Sequence, residues 1–560
     1  MEGTPAAEWC AHHQFPIPDK QISAAFVWKG AHHAGDSGRI CFVLPHGILF
    51  NHSRTALTFQ KTLFNHHTVD FVLNLTDYQF FLFEEARHPA IVVAYRKGAP
   101  EHRRQTIEYW TPKTDWLVTR AEVISVTPED RCTITVGEVL DDLEGNDAPQ
   151  IWKQRYWATA RDRRLIDRLS LYPRLRDHIR QTRETTTNKR WLIAEGFQPV
   201  GKGDDPQKAI VIRLPSRLFI EATSPSLDLF LLPRDCMKLP AAAMTVRSKS
   251  NKGIEVFRAP HVLVAQGFTS IGFADFDVSF QHALRGITGP KEDRDLLIFL
   301  ATYFRSPLAR YFLFQTSSNW GVSRQKIHVE ELLRLPLPLP ETLPDPQRAW
   351  EIVKEVGRIM TSTAEEATGE FANRKALVQT ASDSIEILIN EYFDIFSIEK
   401  ILIDDTIRVI VPSVRPTRRR AVVPTIDPSS QQQRDDYIKR LCNALNGWAK
   451  NGPFTVQGRA VVSAKLGIGV AILKKSRLAQ MAPKLPEDVD DLLTALDRLR
   501  ELTSRKFNTF ELIRGAKVFY RDRLYVVKPI GQRFWTQTAA LNDADEIAGT
   551  ILMHTPQGVA

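Results

Sequence analysis

The sequence is poor in cysteine, with five in 560 residues, at Cys10, Cys41, Cys132, Cys236 and Cys442. Their isolation argues against a zinc site and a disulfide framework, and it fits a reducing, cytoplasmic setting. No apolar run approaches the roughly 20 residues that span a bilayer, so no membrane partner is expected. The opening residues, MEGTPAAEWCAHHQFP, lack a basic stretch followed by an apolar one, so they do not read as a secretory signal. No Pro-Pro dipeptide and no Phe-x-Gly-x-Gly sequence occurs anywhere. The pairs His12-His13, His32-His33 and His66-His67 are adjacent, and adjacent rings on a helix point apart, so no metal site is expected. Glu351 and Lys354 follow Pro344-Asp345, but at a Glu-x-x-Lys spacing that does not suit a metal-dependent nuclease.

What is present is ample core and a basic balance. Hydrophobic residues make up 43% of the chain, and its length suggests roughly three or four domains. The net charge is +9, compatible with a polyanionic partner.

The stretch from Arg39 to Lys97 organises the rest. Ile40 to Leu44 is a short apolar run, as expected of a strand in a mostly parallel sheet. Asn51 or Ser53 can cap a following helix whose Ala56, Phe59 and Leu63 form one stripe. Val69 to Leu75 and Ala90 to Tyr95 read as two further strands. Asp77 to Glu85 between them is too aromatic for an ordinary loop. Ahead of this stretch, Asp19 can cap a helix from Lys20 to Lys29, with Ala25, Phe26 and Trp28 packed on the sheet.

Downstream, Trp116 to Val126 and Cys132 to Val136 read as strands. Ile151 to Arg190 reads as helical and basic, with Arg161, Arg163, Arg164 and Arg168 on it and Leu165, Ile166, Leu169 and Leu171 as its apolar side. Gly201-Lys202-Gly203 is read as a turn. Strand-like segments follow at Phe219 to Glu221, Leu227 to Leu232 and His261 to Gln266. A long apolar helix, Leu296 to Phe314, is expected to break at Pro307. It stops at Ser317-Ser318-Asn319-Trp320-Gly321, followed by Arg324, Lys326 and a Pro-rich exit. Residues 346–410 look helical. Pro412 to Pro428 frames Arg418-Arg419-Arg420 as a linker. The last part contains a likely hairpin at Lys517 to Lys528.

The run VLPHGILF, a helix, then VDFVLNLTDYQFFLFEEARHPAIVVAYRK resembles the second half of the catalytic domain of N6-adenine DNA methyltransferases, of the restriction-modification and phage-defence kind. The stretch ending in SSNWGVSRQKIHVEELLRLPLPLP independently resembles the target-recognition domains of type I specificity subunits. The resemblance implies an α/β chain: the C-terminal half of a Rossmann-like methyltransferase sheet (1–115), connecting strands and a basic helix (116–190), an α+β target-recognition domain (191–345), a helical spacer (346–411), a linker (412–430) and a small C-terminal module (431–560).

It also implies chemistry. Methyl transfer in this family needs a Gly-rich turn for S-adenosylmethionine and an Asn/Asp-Pro-Pro-aromatic loop for the extruded adenine, and both are missing. Leu466-Gly467-Ile468-Gly469 lies too late, and Asn451-Gly452-Pro453-Phe454 sits behind a polar helix, so neither substitutes. No catalytic residue is therefore expected in this chain. The cofactor is expected to be bound mainly by a missing half or partner chain. One feature of the family's loop is expected to remain, an aromatic ring that stacks on the extruded base, with Phe83 favoured over Phe80 and Phe81. Double-stranded DNA is the expected partner, contacted by Arg161, Arg163, Arg164 and Arg168 at phosphates and by Ser318, Asn319, Trp320, Arg324 and Lys326 in the recognition loop. Two other readings stay open, a non-enzymatic DNA-specificity subunit and a truncated relic.

Overall fold

The computed structural model describes residues 3–83, 88–145, 150–181, 189–201, 203–248, 254–369, 372–417, 424–450, 452, 454–464, 467–477, 516–520 and 522–554. Arg418-Arg419-Arg420, Lys202, Leu466, Asn451, Pro453 and the loop residues Glu84 to Arg87 lie outside them. The chain folds as two compact units. One comprises residues 1–163, 321–323 and 404–560, and the other 164–320 and 324–403.

The first unit opens with a short helix, Pro5–His12, capped by Thr4, and continues with helix α1 (Ile22–His33), strand β1 (Arg39–Pro45), helix α2 (Arg54–His66), and strands β2 (His67–Asn74), β3 (Ala90–Lys97), β4 (Thr106–Trp110) and β5 (Arg131–Thr135). Ser53 caps α2, its hydroxyl accepting from the Ala56 N–H at 3.1 Å. Ala56, Phe59 and Leu63 are buried as one stripe, as their spacing requires. The sheet runs β1-β3-β2-β4-β5. It is not mostly parallel. β3 lies antiparallel between β1 and β2, β4 is parallel to β2, and β5 is antiparallel to β4. The reason is connectivity: α2 carries the chain over so that β2 runs with β1. The return from β2 to β3 has only two short helical turns, too little for the helical crossover that a parallel neighbour needs.

Three local expectations are corrected. Asp19 does not cap α1, which starts later at Ile22. Asp19 sits at φ 46°, where its carboxylate accepts from Asn51 Nδ2 at 2.8 Å. Phe26 faces outward, whereas Ala25 and Trp28 are buried. Trp116 to Val126 is not a strand. Asp115 caps a helical turn, Trp116–Arg120, by accepting from the Leu117 N–H at 2.7 Å, and this local bond outcompetes the β-branched content.

The basic stretch is also not one helix. It breaks into Ile151–Trp157, helix α3 (Ala160–Leu169) and Leu175–His178, and then enters a strand, Ile179–Gln181. Thr159 and Asp162 bond reciprocally at the start of α3, which fixes the break after Trp157. Leu165, Ile166 and Leu169 are buried, while Leu171 is exposed.

The second unit holds a six-stranded mixed sheet. Its order is Leu229–Phe230, Ile271–Ala274, His261–Ala265, Leu284–Thr288, Trp191–Glu195 and Ile179–Gln181. The apolar helix breaks at Pro307 as expected, into α4 (Arg294–Arg305) and α5 (Pro307–Thr316), with Ser306 capping α5. Two long helices, α6 (Pro346–Glu366) and α7 (Arg374–Tyr392), pack as a pair.

The C-terminal module belongs to the first unit. Helices α8 (Gln431–Trp448) and α9 (Gln537–His554) cover an antiparallel sheet of β6 (Phe454–Ser463), β7 (Ile468–Arg477), β8 (Lys517–Tyr520) and β9 (Arg523–Pro529). The hairpin expected over Lys517 to Lys528 is β8–β9. Gly467, at φ 65°, closes against the Trp116 ring, where a Cβ would lie 2.3 Å from a ring carbon. Fully buried Asp77 ties module to sheet. It accepts from the Thr114 N–H and hydroxyl at 2.8 and 2.6 Å, from the Arg415 N–H at 2.6 Å and from Arg533 Nη1 at 3.1 Å.

Candidate nucleic-acid interface

β1 and β2 run the same way, so their carboxyl ends open on the same side of the first sheet, where ligands of α/β sheets generally bind. Past the end of β2, Thr76–Tyr78 and Gln79–Leu82 form two short helical turns. These turns hold Tyr78 and Gln79 in the interior and present Phe80 and Phe83 outward, 43% and 51% exposed. Phe81 is half-buried. A phenyl ring left half in water gains little for the fold.

Two residues in this area carry no signal in the sequence. Past the end of β1, His46 is buried and its Nδ1 has no hydrogen-bond partner. Burial pushes its imidazole down to about 4, and the charges of His88 and Arg415 push the same way. It is therefore neutral at pH 7. Arg415 gathers the surroundings, since its N–H serves Asp77 and its guanidinium donates to Gln79 Oε1 at 3.0 Å, next to Phe80. Arg415 lies more than 300 residues from these partners, so no local pattern could reveal it.

His46 sets a pH dependence. An unfolded histidine titrates near about 6.5, above the folded value, so the unfolded chain binds the extra proton. The stabilising contribution of neutral His46 is complete above that pH and is lost as pH falls toward 4. A His46→Gln variant is expected to lose less stability between pH 7 and pH 4.5 than the parent, as read by urea unfolding at each pH.

A glycine follows His46, but it does not make a cofactor cradle. A Cβ on Gly47 would press on the side chains of Asn51 and Gln21 at 3.0 Å, so protein already fills that space. Gly47 therefore leaves no room for S-adenosylmethionine at its own position.

In the second unit, Ser318, Asn319 and Trp320 follow α5. Ser318 is buried, and its N–H and hydroxyl both donate to Glu331 Oε1 at 2.7 Å. Asn319 Nδ2 lies 3.2 Å from the Ser318 hydroxyl and 3.0 Å from His328 Nε2. Trp320 is 4% exposed, edge-on to Phe314 at 5.9 Å, with the Arg310 guanidinium 5.9 Å from its ring. These three side chains build the loop from inside. Arg324 is exposed and Lys326 half-exposed.

The arginines of α3 divide in the same way. Arg161 grips Asp545 through two bonds, at 2.9 and 2.8 Å. Arg168 grips Glu399 at 3.0 and 2.5 Å and donates to the Phe393 carbonyl. Arg163 donates to the Ala158 carbonyl at 3.1 Å. A guanidinium held bidentately by a carboxylate is largely neutralised towards phosphate. Arg164 is exposed.

Residues 7–120 match the family model for N-6 DNA Methylase. No curated protein matches the chain. Among solved structures, the type IIL restriction-modification enzyme MmeI in complex with DNA aligns at 12% identity and TM-score 0.36, over 70% of this chain and 53% of that one. The type IIG restriction endonuclease BpuSI aligns at 11% identity and TM-score 0.27, over 68% and 50%. The HsdS subunit from Thermoanaerobacter tengcongensis aligns at 12% identity and TM-score 0.16, over 63% and 96%. The chain thus spans about half the length of the two restriction enzymes. The stretch that matches the N-6 DNA Methylase family is the one that builds β1 to β4 and presents Phe80 and Phe83.

Proposed function

We propose that the chain is the DNA-binding and fold-completing part of a site-specific N6-adenine DNA methyltransferase that uses S-adenosylmethionine in a restriction-modification or phage-defence system. The carrying observation is that the segment matching the methylase family places two exposed phenylalanines past the carboxyl end of β2. The Gly-rich turn and the Asn-Pro-Pro loop are supplied from outside residues 1–560. In support, β1 is the edge of its sheet, and Val43 on it is 62% exposed, with Phe26 and Ile22 of α1 also exposed. An apolar edge of this kind suits an added strand. On this reading Phe83 and Phe80 stack on the extruded adenine. Arg324 and Lys326 contact DNA, while Ser318, Asn319 and Trp320 shape the loop that carries them.

Two experiments test this. Phe83→Ala should leave stability unchanged, because the ring is exposed. It should lower kcat/KM of the reconstituted enzyme by about 5–150-fold, the equivalent of the roughly 1–3 kcal/mol of one base stack. Unchanged kinetics for both Phe83→Ala and Phe80→Ala would remove these rings from the site. Arg324→Ala with Lys326→Ala should weaken DNA binding and reduce the salt slope by about one to two units. An unchanged slope in filter binding would exclude both from phosphate contact.

A further inference from the structure

Two segments of the second unit, Ala209–Arg213 and Ala243–Arg247, pair antiparallel as a two-stranded ribbon. Side chains alternate across it. Ile212 and Val246 turn inward and are buried in the core of the unit, with Ile210 and Met244 packed beside them. Val211, Arg213, Ala243 and Thr245 are exposed on the other face. The register sets Val211 opposite Thr245 and Arg213 opposite Ala243. The apolar inner face fixes the ribbon to its unit, so the outer face is held ready for a partner.

The charge along the ribbon has one sign. Its two segments stay joined beyond the ladder, with the Leu214 N–H donating to the Ala242 carbonyl at 2.9 Å and the Leu239 N–H to the Arg217 carbonyl at 2.8 Å. Residues 208–219 and 237–247 carry five cations, Lys208, Arg213, Arg217, Lys238 and Arg247, and no carboxylate. The loop before the ribbon neutralises two of them, Arg247 through Asp204 at 2.9 Å and Lys208 through Asp205 at 3.5 Å. Arg213, Arg217 and Lys238 are exposed. A basic strip of this kind complements a polyanion.

Shape selects which polyanion. The major groove of B-form DNA admits a two-stranded ribbon, whereas the deep, narrow major groove of an RNA duplex cannot be read by side chains. Outward side chains recur along a strand every ~6.8 Å, about two base-pair steps of ~3.4 Å. The side chains presented at that spacing can tell bases apart. An arginine fork matches guanine O6 and N7, an apolar group meets the thymine methyl, and a threonine hydroxyl serves either kind of base edge. Ala243, small and opposite Arg213, lets a base edge come close. We propose that this ribbon lies in the major groove of double-stranded DNA, with Arg213 reading a guanine, Val211 and Thr245 facing the neighbouring bases, and Lys238 on a flanking phosphate. The inference rests on the DNA-binding reading above and adds to it the element that reads sequence, since Ser318, Asn319 and Trp320 are occupied in shaping their own loop.

The test uses the full chain and a pool of DNA duplexes with a randomised centre, enriched for binding. The parent should select a motif containing a fixed guanine. Arg213→Ala should select the same motif with that one position relaxed, and Arg213→Gln should move the preference there to adenine. Replacing that guanine by 7-deazaguanine, which lacks the N7 acceptor, should weaken the parent by about fivefold and leave Arg213→Ala unaffected. Lys238→Ala should weaken all sequences evenly and reduce the salt slope by about one unit. Both side chains are exposed, so urea unfolding should show parental stability for each variant. An identical motif from the parent and Arg213→Ala overturns the inference and leaves DNA binding standing. Even loss across the whole motif in Arg213→Ala also overturns it, by making Arg213 a phosphate contact. A parent that binds every duplex equally, or none, overturns this inference and the DNA-recognition reading together.

Discussion

Asp77→Ala is expected to destabilise the first unit by about 3–5 kcal/mol, the usual cost of removing one partner of a buried ion pair. Arg533 is 5% exposed on its side chain and, among the described residues, keeps Ser413 as its side chain's polar partner once the carboxylate is gone. The N–H groups of Thr114 and Arg415 also lose their acceptor, and each buried orphan adds its own desolvation cost. The effect should appear in urea unfolding as a lower midpoint with loss of the C-terminal module's packing. Asp77→Asn should cost less, since an amide oxygen in the Oδ2 place still accepts three of the four bonds, from the Thr114 N–H and hydroxyl and from Arg533. Arg533→Met should be milder than Asp77→Ala, because an apolar chain can fill the space while the carboxylate retains its backbone donors. Equal stability of Asp77→Ala and the parent would refute the role given to this residue.

Trp320→Ala should lower stability of the second unit by about 3–5 kcal/mol, as removal of a buried indole generally does. The ring packs edge-on to Phe314 with the Arg310 guanidinium beside it. Trp320→Phe should recover about half of the loss. DNA binding by Trp320→Ala should fall equally on specific and random sequences, in proportion to the folded fraction. Selective loss on the specific site, with stability intact, would instead make the indole a base-reading group. Arg324→Ala offers the contrast. As an exposed side chain it should change stability by less than about 0.5 kcal/mol while weakening DNA binding.

These two residues show where sequence reading stops. The helix and strands between Arg39 and Lys97 were legible because short apolar runs and a capped amphipathic helix are local signals, whereas the helix Pro5–His12 was not read from its residues. Strand direction was not, because it depends on how the chain returns from β2 to β3. Trp320, Ser318 and Asn319 look like a polar recognition loop in sequence. Ser318 and Trp320 are buried, held by Glu331 and beside Arg310, and half-buried Asn319 meets His328, all partners that approach only in the folded unit. Arg161 and Arg168 look like phosphate contacts on a basic stretch. Their acidic partners, Asp545 and Glu399, lie hundreds of residues away. Phe80, Phe81 and Phe83 stood out because an aromatic loop before a strand is unusual; the fold leaves Phe80 and Phe83 exposed and Phe81 half-buried. The C-terminal module was opaque for a related reason, since its anchor, Asp77 with Arg533, joins opposite ends of the chain.

The central claim is that this chain completes a methyltransferase whose cofactor residues lie elsewhere. The most direct measurement is transfer of labelled methyl from S-adenosylmethionine to DNA, by the chain alone and then with the protein encoded immediately upstream. The account predicts no transfer by the chain alone and transfer by the mixture, reduced when Phe83 is alanine. Transfer by the chain alone would contradict it, and so would a silent mixture of folded proteins that still binds DNA.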